Sequence, residues 1–275
     1  MKKLLKAASL CAAALLMVGC FASCTAEEEP GSNAGNSNTG SEPAAANYDL
    51  VSDGKLIMGT NAQFPPFEFY ENQTIVGVDA EIMGEIAKRL GLELEIKDME
   101  FDSLPASIKA KEIDVIGAGY TADPDREENM DFTDSYYTAN QTIIVRADST
   151  AASADDLKGK IIGGQSGTTG LITCAVELTD EANIKAYTNG ALAVEDLLNG
   201  KLDAVIIDNN PANEYKNIHN IRGEKIKLLE NQFDEEHYVF GVQKGNKALA
   251  DAINSTLAEM KEDGSFQTII DKYIK

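Results

Sequence analysis

The sequence has no tryptophan, two histidines and four cysteines, and its 24 basic residues face 45 acidic ones. Each shortage removes a class of chemistry. His219 and His237 do not form a pair with metal-ligand spacing, and the body of the chain has no cysteine pair, so neither a metal nor any other cofactor is expected. The formal net charge of −21 excludes nucleic acid as a partner, because gripping a phosphate backbone needs a basic surface. It equally excludes adhesion to anionic lipid by charge alone. Cys11, Cys20 and Cys24 crowd the start, which leaves only Cys174 further on and rules out a disulfide framework. Cys174 sits in an apolar run with Leu171, Ile172, Ala175 and Leu178, the setting of a buried structural thiol. What is present is an ordinary globular composition, 43% hydrophobic and 25% charged. At 275 residues the chain is too long for one small core and suits two lobes of roughly 100 residues each.

The N-terminus reads as an address. Lys2, Lys3 and Lys6 precede an apolar run from Ala7 to Val18 that is too short to span a bilayer and is closed by small residues. Residues 1–19 are therefore read as a secretory signal peptide. The sequence Leu16-Met17-Val18-Gly19-Cys20 resembles a bacterial lipobox, with Met17 where leucine is commonest. Cys20 is the expected lipidation site, and Cys24, preceded by Phe21-Ala22-Ser23, is the alternative. Acyl chains on Cys20 would anchor an otherwise soluble body to membrane lipid, whereas an ordinary cleaved signal would release it. Residues 20–48 form a tether rich in Glu, Gly, Ser, Asn, Pro and Ala, with too little apolar surface to offset its ordering entropy. Losing three lysines and no acids takes the net charge from −21 to about −24.

The body is written twice. Lys55-Leu56-Ile57-Met58-Gly59-Thr60 reads as a short buried strand ending in a loop, and Gly159-Lys160-Ile161-Ile162-Gly163-Gly164 repeats it, 105 positions on from Lys55 to Lys160. Later, Ile108 to Ile116 is echoed by Leu197 to Ile206. Both read helix end, basic turn, Asp114 or Asp203, then an apolar strand. The second offset is 89, from Asp114 to Asp203, so loop lengths differ between two similar α/β units. Ile82, Ile86 and Leu90 mark a helix stopped by Gly91. Asn246 is expected to cap a helix with the stripe Leu249, Ile253, Leu257 and Met260, ended by Gly264, and Ser265 to cap the last helix. Strands alternating with helices imply mostly parallel sheets, which bind ligands at loops beyond their carboxyl ends.

Those loops hold the informative residues. Gly117-Ala118-Gly119-Tyr120-Thr121-Ala122 fits the dinucleotide pattern G-x-G-x-x-A, but Asp123-Pro124-Asp125-Arg126-Glu127-Glu128 follows where an apolar helix should begin, so that reading is rejected. Gly163 to Thr169 lacks the lysine of a phosphate-binding P-loop. The first loop does offer Thr121, a proline-started turn and Arg126. N–H groups at a helix start and a two-pronged guanidinium suit a carboxylate. A surface ion pair of Arg126 with Glu127 or Asp123 is the equal alternative. Asp208 ends the strand that starts at Asp203, and it can hold an ammonium group or cap the segment Asn209-Asn210-Pro211. One cation in one unit and one anion in the other suit a zwitterion held between them.

From about Leu56 to Ile274 the chain resembles the polar amino-acid-binding proteins of ABC importers, the bacterial extracellular solute-binding proteins of family 3. The motifs, in order, are Gly59-Thr60-Asn61-Ala62-Gln63-Phe64-Pro65-Pro66-Phe67-Glu68-Phe69, Val76-Gly77-Val78-Asp79, Phe101-Asp102-Ser103-Leu104, Thr121 to Arg126, Asp131 to Tyr137, Leu157-Lys158-Gly159-Lys160 and Gly167-Thr168-Thr169. The resemblance implies a two-lobed α/β fold of the type II periplasmic-binding-protein kind, with two mostly parallel sheets flanked by helices and a two-strand hinge. Lobe 1 would comprise residues 49–139 and 237–275, and lobe 2 residues 140–236. It further implies a monomer outside the cell, lipid-anchored, that closes around a free amino acid and delivers it to an ABC-type permease in the membrane.

At the matching positions, Arg126 would grip the α-carboxylate with help from the N–H groups of Thr121 and Thr169, with Thr168 beside them. Asp208 and the carbonyl of Gly119 would hold the α-ammonium. Phe64 and Phe101 would sandwich the ligand side chain, and Asn61 and Gln165 would touch its tip. Asn61 departs from the Asp common in cation-binding members, which favours a polar, uncharged ligand. A cationic amino acid is the alternative if Glu68 faces inward. The remaining rivals are a prephenate or arogenate dehydratase on the same fold, which would need a placed acid such as Glu68, and the ectodomain of a sensor.

Overall fold

The computed structural model describes residues 48–229 and 233–274. The expected signal peptide, Cys20, Cys24 and nearly all of the tether lie outside the described residues.

The chain begins with β1 (Lys55–Thr60), then a small antiparallel sheet of β2 (Gln63–Phe64), β3 (Glu68–Glu71) and β4 (Thr74–Val76). Next come α1 (Val78–Arg89), β5 (Glu93–Asp98), α2 (Leu104–Lys109), β6 (Val115–Ile116), α3 (Pro124–Glu127) and β7 (Met130–Phe132). The long strand β8 (Tyr137–Arg146) leads to β9 (Ile162–Gln165), α4 (Ala175–Leu178), β10 (Ile184–Tyr187), α5 (Gly190–Leu198), β11 (Ala204–Asp208), α6 (Asn209–His219) and β12 (Ile226–Leu228). The chain finishes with β13 (Glu235–Tyr238), β14 (Gly241–Gln243), α7 (Lys247–Glu262) and α8 (Ser265–Tyr273).

Two large sheets define two lobes. The first runs β5-β1-β6-β14-β7, and the second β10-β9-β11-β8-β12. The connection between them is the antiparallel pair β8 and β13, in register from Tyr137 opposite Tyr238 to Asn140 opposite Glu235. Parallel pairing is confined to a trio in each sheet, β5-β1-β6 and β10-β9-β11. The fourth strands, β14 and β8, are antiparallel to their neighbours β6 and β11. They carry the chain between lobes and do not return through a helical crossover, which a parallel strand requires.

The strand sequences explain the layering. In β1, Leu56 and Met58 face a core with Ile82, Ile86, Leu249 and Ile253 of α1 and α7, while Ile57 faces the opposite core with Leu104 and Ile108 of α2. A strand covered on both faces is apolar at successive positions, as Leu56 to Met58 are. In the second lobe Val205 and Ile207 pack toward α5, and Ala204 and Ile206 toward Cys174, Ala175 and Leu178.

The repeat has a mechanical meaning. Asp114 donates its N–H to the Ile57 carbonyl and accepts the Ile57 N–H, both at 2.8 Å. Asp203 does the same with Ile161, at 2.8 and 2.9 Å. The residue before each aspartate, Ile113 or Leu202, covers a strand glycine: a Cβ on Gly59 would sit 2.5 Å from Ile113 Cδ1, and one on Gly163 2.4 Å from Leu202 Cδ1. The structural offset between the first strands of the two lobes is thus 104, one less than the pattern match of Lys55 with Lys160, and it sets Asn61 equivalent to Gln165.

Two expected caps differ. Asn246 occupies the N-cap position of α7, yet its amide donates to the Asp49 carbonyl at 3.0 Å, tying down the start of the body. Ser265 is the first residue of α8; its N-cap is Gly264, in the left-handed region at φ 80°, and the Ser265 hydroxyl accepts from Arg89 at 2.9 Å.

Candidate functional site

The carboxyl ends of the parallel strands of both lobes point at one another, and a small cavity lies between them. At its far wall, Gln165 Nε2 donates across the lobes to Asn61 Oδ1 at 2.9 Å and to the Thr188 carbonyl at 3.0 Å, while Asn61 Nδ2 donates to the Met99 carbonyl at 2.9 Å. Both Gln165 amide hydrogens are thereby engaged. The pair offers a ligand one free acceptor, Gln165 Oε1, and one N–H of Asn61.

Arg126, on the short α3, reaches across to the second lobe. Its Nη1 donates to the Thr121 carbonyl and its Nη2 to the Gly167 carbonyl, each at 2.8 Å. The guanidinium lies over the Tyr120 ring at 4.2 Å and near the Phe101 ring at 5.8 Å. Among the described residues it has no carboxylate partner, so the surface pair with Glu127 or Asp123 is not formed. It is also the one cationic side chain in the cavity wall. Thr121 and Thr169, one from each lobe, both direct their hydroxyls to Glu236 Oε2 at 2.7 and 2.8 Å, and Thr168 Oγ1 donates to the Gln165 carbonyl.

Three buried acids belong to the same region, two of them in the cavity wall. Asp208 is at the N-cap position of α6 but caps nothing with its side chain, and its Oδ1 accepts the Tyr238 hydroxyl at 2.7 Å. Burial, and then the charge of Glu236, push its carboxyl up to about 7. Asp79 accepts the Gly119 N–H at 2.8 Å and the Tyr136 hydroxyl at 2.6 Å, and burial lifts it to about 6. Glu68 on β3 is fully buried in the cavity wall, and neither of its oxygens accepts a hydrogen bond. Burial, then the nearby charge of Asp79, raises it well above the usual carboxylate range. Carrying a proton, it would donate to Asp79, since the two carboxyls are within hydrogen-bonding reach.

The cavity wall includes all ten residues named from the sequence: Asn61, Phe64, Phe101, Gly119, Thr121, Arg126, Gln165, Thr168, Thr169 and Asp208. It adds Glu68 and Ala118. The sequence reading left the orientation of Glu68 open and passed over Glu236 and Tyr238 altogether. Glu236 and Tyr238 sit on the connecting strand β13, far along the chain from any motif that would point to them. The two glycines of the pattern Gly117-Ala118-Gly119 have a packing cause. A Cβ on Gly119, which has φ +53°, would lie 2.7 Å from Phe64 Cε1, and one on Gly117 2.7 Å from Met58 Cε. Cys174 is buried and burial pushes its thiol up to about 12, as suits a structural residue. His219 and His237 are not in the wall. Among the described residues no group of acids, histidines or cysteines could hold a metal ion, and no helix is long and apolar enough to cross a membrane.

A two-lobed α/β body whose facing strand ends enclose one guanidinium and buried carboxylates has the architecture of a solute-binding protein. The chain belongs to the bacterial extracellular solute-binding proteins, family 3, whose model matches residues 56–275. It is 34% identical to the arginine-binding extracellular protein ArtP of Bacillus subtilis over 242 residues, 87% of this chain and 90% of that protein. Among solved structures it is similar to the arginine-, lysine-, histidine-binding protein ArtJ of Geobacillus stearothermophilus, with 35% identity and a TM-score of 0.76 over 80% of this chain and 95% of that one. It is also similar to an ancestral arginine-binding protein bound to glutamine, with 36% identity and a TM-score of 0.74 over 81% and 99% of the two chains.

Proposed function

We propose that this protein is the receptor of an amino-acid importer, lipid-anchored through Cys20 outside the cell, that closes its lobes around a free amino acid and presents it to an ABC-type permease without chemical turnover. Lobe 1 is residues 49–139 with 237–275, and lobe 2 is residues 140–236. The observation that carries this reading is the guanidinium of Arg126, which reaches both lobes yet has no carboxylate partner among the described residues. A ligand carboxylate supplies the missing anion, and a charge-assisted, two-pronged contact is strong in a secluded site. Asp208, in the same cavity wall, receives the ammonium. Phe64 and Phe101 flank the side chain.

The ligand is a polar, uncharged amino acid, because the far wall presents two neutral amides and no acid: Asn61 and Gln165 offer one acceptor and one donor, the complement of a side-chain amide such as that of glutamine. The second reading, a cationic amino acid, is supported by the similarity to the arginine-binding ArtP and the arginine-, lysine-, histidine-binding ArtJ and by the aromatic walls, which suit a cation. Catalysis of the dehydratase kind would need Glu68 as its acid, and Glu68 is grouped with Asp79 and Asp208.

The test is a thermal-shift screen of the ligand-free protein against the twenty amino acids and cystine, followed by calorimetry on responders. A ligand that binds only the folded state raises the melting temperature by mass action. A response to glutamine or another neutral polar residue supports the first reading, and a response to arginine or lysine alone replaces it with the second. Silence from the whole panel, with turnover of prephenate or arogenate, overturns both.

A further inference from the structure

The acid cluster at the ammonium end contains more carboxylates than one ammonium group needs. Asp208 already meets the requirement of the proposed receptor, and each oxygen of Asp79 already accepts a donor, the Gly119 N–H and the Tyr136 hydroxyl. Glu68 is different. It lies in the cavity wall, it is 0% exposed, and both of its oxygens lack a donor. A buried carboxylate with no partner is costly, and a native fold retains one where something else satisfies it. Beyond a proton shared with Asp79, the groups facing it add no compensation for its charged form. Asp79 on α1 and Asp208 at the end of β11 are acidic, the hydroxyls of Tyr136 and Tyr238 are committed to those two aspartates, and Glu236 adds a further negative charge beside Asp208. The nearest cationic group in the wall, Arg126, is turned to the carbonyls of Thr121 and Gly167.

We propose that Glu68 is a second carboxylate for the ligand's α-ammonium group, and that the proton it shares with Asp79 in the empty cavity leaves for solvent as the ammonium enters. The balance is simple. A protonated Glu68 and an ammonium ion become an ionised Glu68 paired with the ammonium, and one proton passes to the buffer. This rests on the amino-acid reading of the site and deepens it: the ligand must bring a protonated amine, and its capture is linked to pH. An α-hydroxy acid of the same shape brings no cation and releases no proton.

The experiment is calorimetric titration of the full chain, freed of bound amino acid, with L-glutamine and L-arginine, each in phosphate and in imidazole buffer. The dependence of the measured heat on buffer ionisation enthalpy counts the protons exchanged. The expected result is net release approaching one proton near neutral pH, and affinity that rises from about pH 6 to about pH 8 as the cluster ionises more easily. In E68Q, release falls clearly below the wild-type count and affinity drops by about tenfold or more, while the melting temperature of the empty protein is kept or raised. Binding with no proton exchange in the wild type overturns the proposal without recourse to any variant. So does E68Q that binds and releases protons as the wild type does, which would leave Asp208 as the source and Glu68 as a packing residue. Absence of binding by every amino acid is a separate outcome and overturns the receptor reading itself.

Discussion

At the scale of single residues, two side chains of the cavity wall fail in opposite ways. Arg126 makes hydrogen bonds only to two carbonyls in the empty protein, so R126K should fold with a melting temperature close to wild type. It should lose about tenfold or more in affinity for the responding amino acid by calorimetry, because an ammonium cannot reproduce the fork of a guanidinium. Asp208 is a stability liability. Its folded carboxyl titrates at about 7 against an ordinary 3.8, so the native state holds the proton more tightly than the unfolded chain does. The stability from that proton is complete below about pH 4 and is lost as pH climbs to about 7. D208N should therefore melt higher than wild type at about pH 8, and the gap should narrow at about pH 5, while ligand binding disappears. Equal melting temperatures at both pH values would show that Asp208 is not held in the way described. Arg126 and Phe64 were legible because they lie in recognisable motifs, and Asp208 because it ends an apolar strand. Glu68 was legible only as a motif letter, since nothing in a linear sequence with 45 acidic residues says which few of them are buried together.

At the scale of elements, the written repeat was readable as strand, loop and helix, and its register was not. The match of Lys55 to Lys160 is off by one because the exposed ends of strands carry little information, whereas the aspartate-to-backbone clasp fixes the true alignment. Asp114 accepts the N–H groups of Val51 and Ile57 at 2.7 and 2.8 Å, and Asp203 accepts that of Ile161 alone. D114A should accordingly cost about 2 kcal/mol or more and D203A about 1 kcal/mol in denaturant titrations; the reverse order would contradict this account of the clasp. Gly77 is the element-level switch that sets α1. It precedes the helix at φ 127°, where a Cβ would come within 2.2 Å of the Phe67 carbonyl oxygen. G77A should destabilise by about 2–4 kcal/mol, strain and clash together, and should weaken ligand binding by displacing Asp79 from the Gly119 N–H. The Ser265 cap lies one residue off, and Asn246, though at its expected N-cap position, makes no capping bond, because a capping residue type marks a helix end to within a residue or so and does not say where its side chain finds a partner.

At the scale of the whole molecule, the two lobes are held together by bonds that only this arrangement can form: Arg126 to Gly167, Gln165 to Asn61, and Ser166 to Asp102 at 2.8 Å. The last lies at the exposed rim. D102A should leave the cavity wall chemically unchanged yet weaken binding about two- to fivefold, read as faster ligand release in stopped-flow, because an exposed polar link contributes under about 1 kcal/mol to closure. Saturation at about 100 Kd should add about 2.7 kcal/mol to unfolding stability, and the scattering radius should shrink on titration if closure follows binding. The two-lobed class was legible from the doubled pattern. Its mixed sheets were not, because a strand that carries the chain between lobes looks locally like any other.

The placement of β14 has a consequence for synthesis. This strand, Gly241–Gln243, lies between β6 and β7, although more than a hundred residues separate it from either in the chain. A chain emerging from its N-terminus can assemble every strand of the second sheet while the first still lacks its middle. That gap exposes two strand edges, and they are sealed only when the last few dozen residues arrive. The half of the molecule that is read first is thus the half completed last.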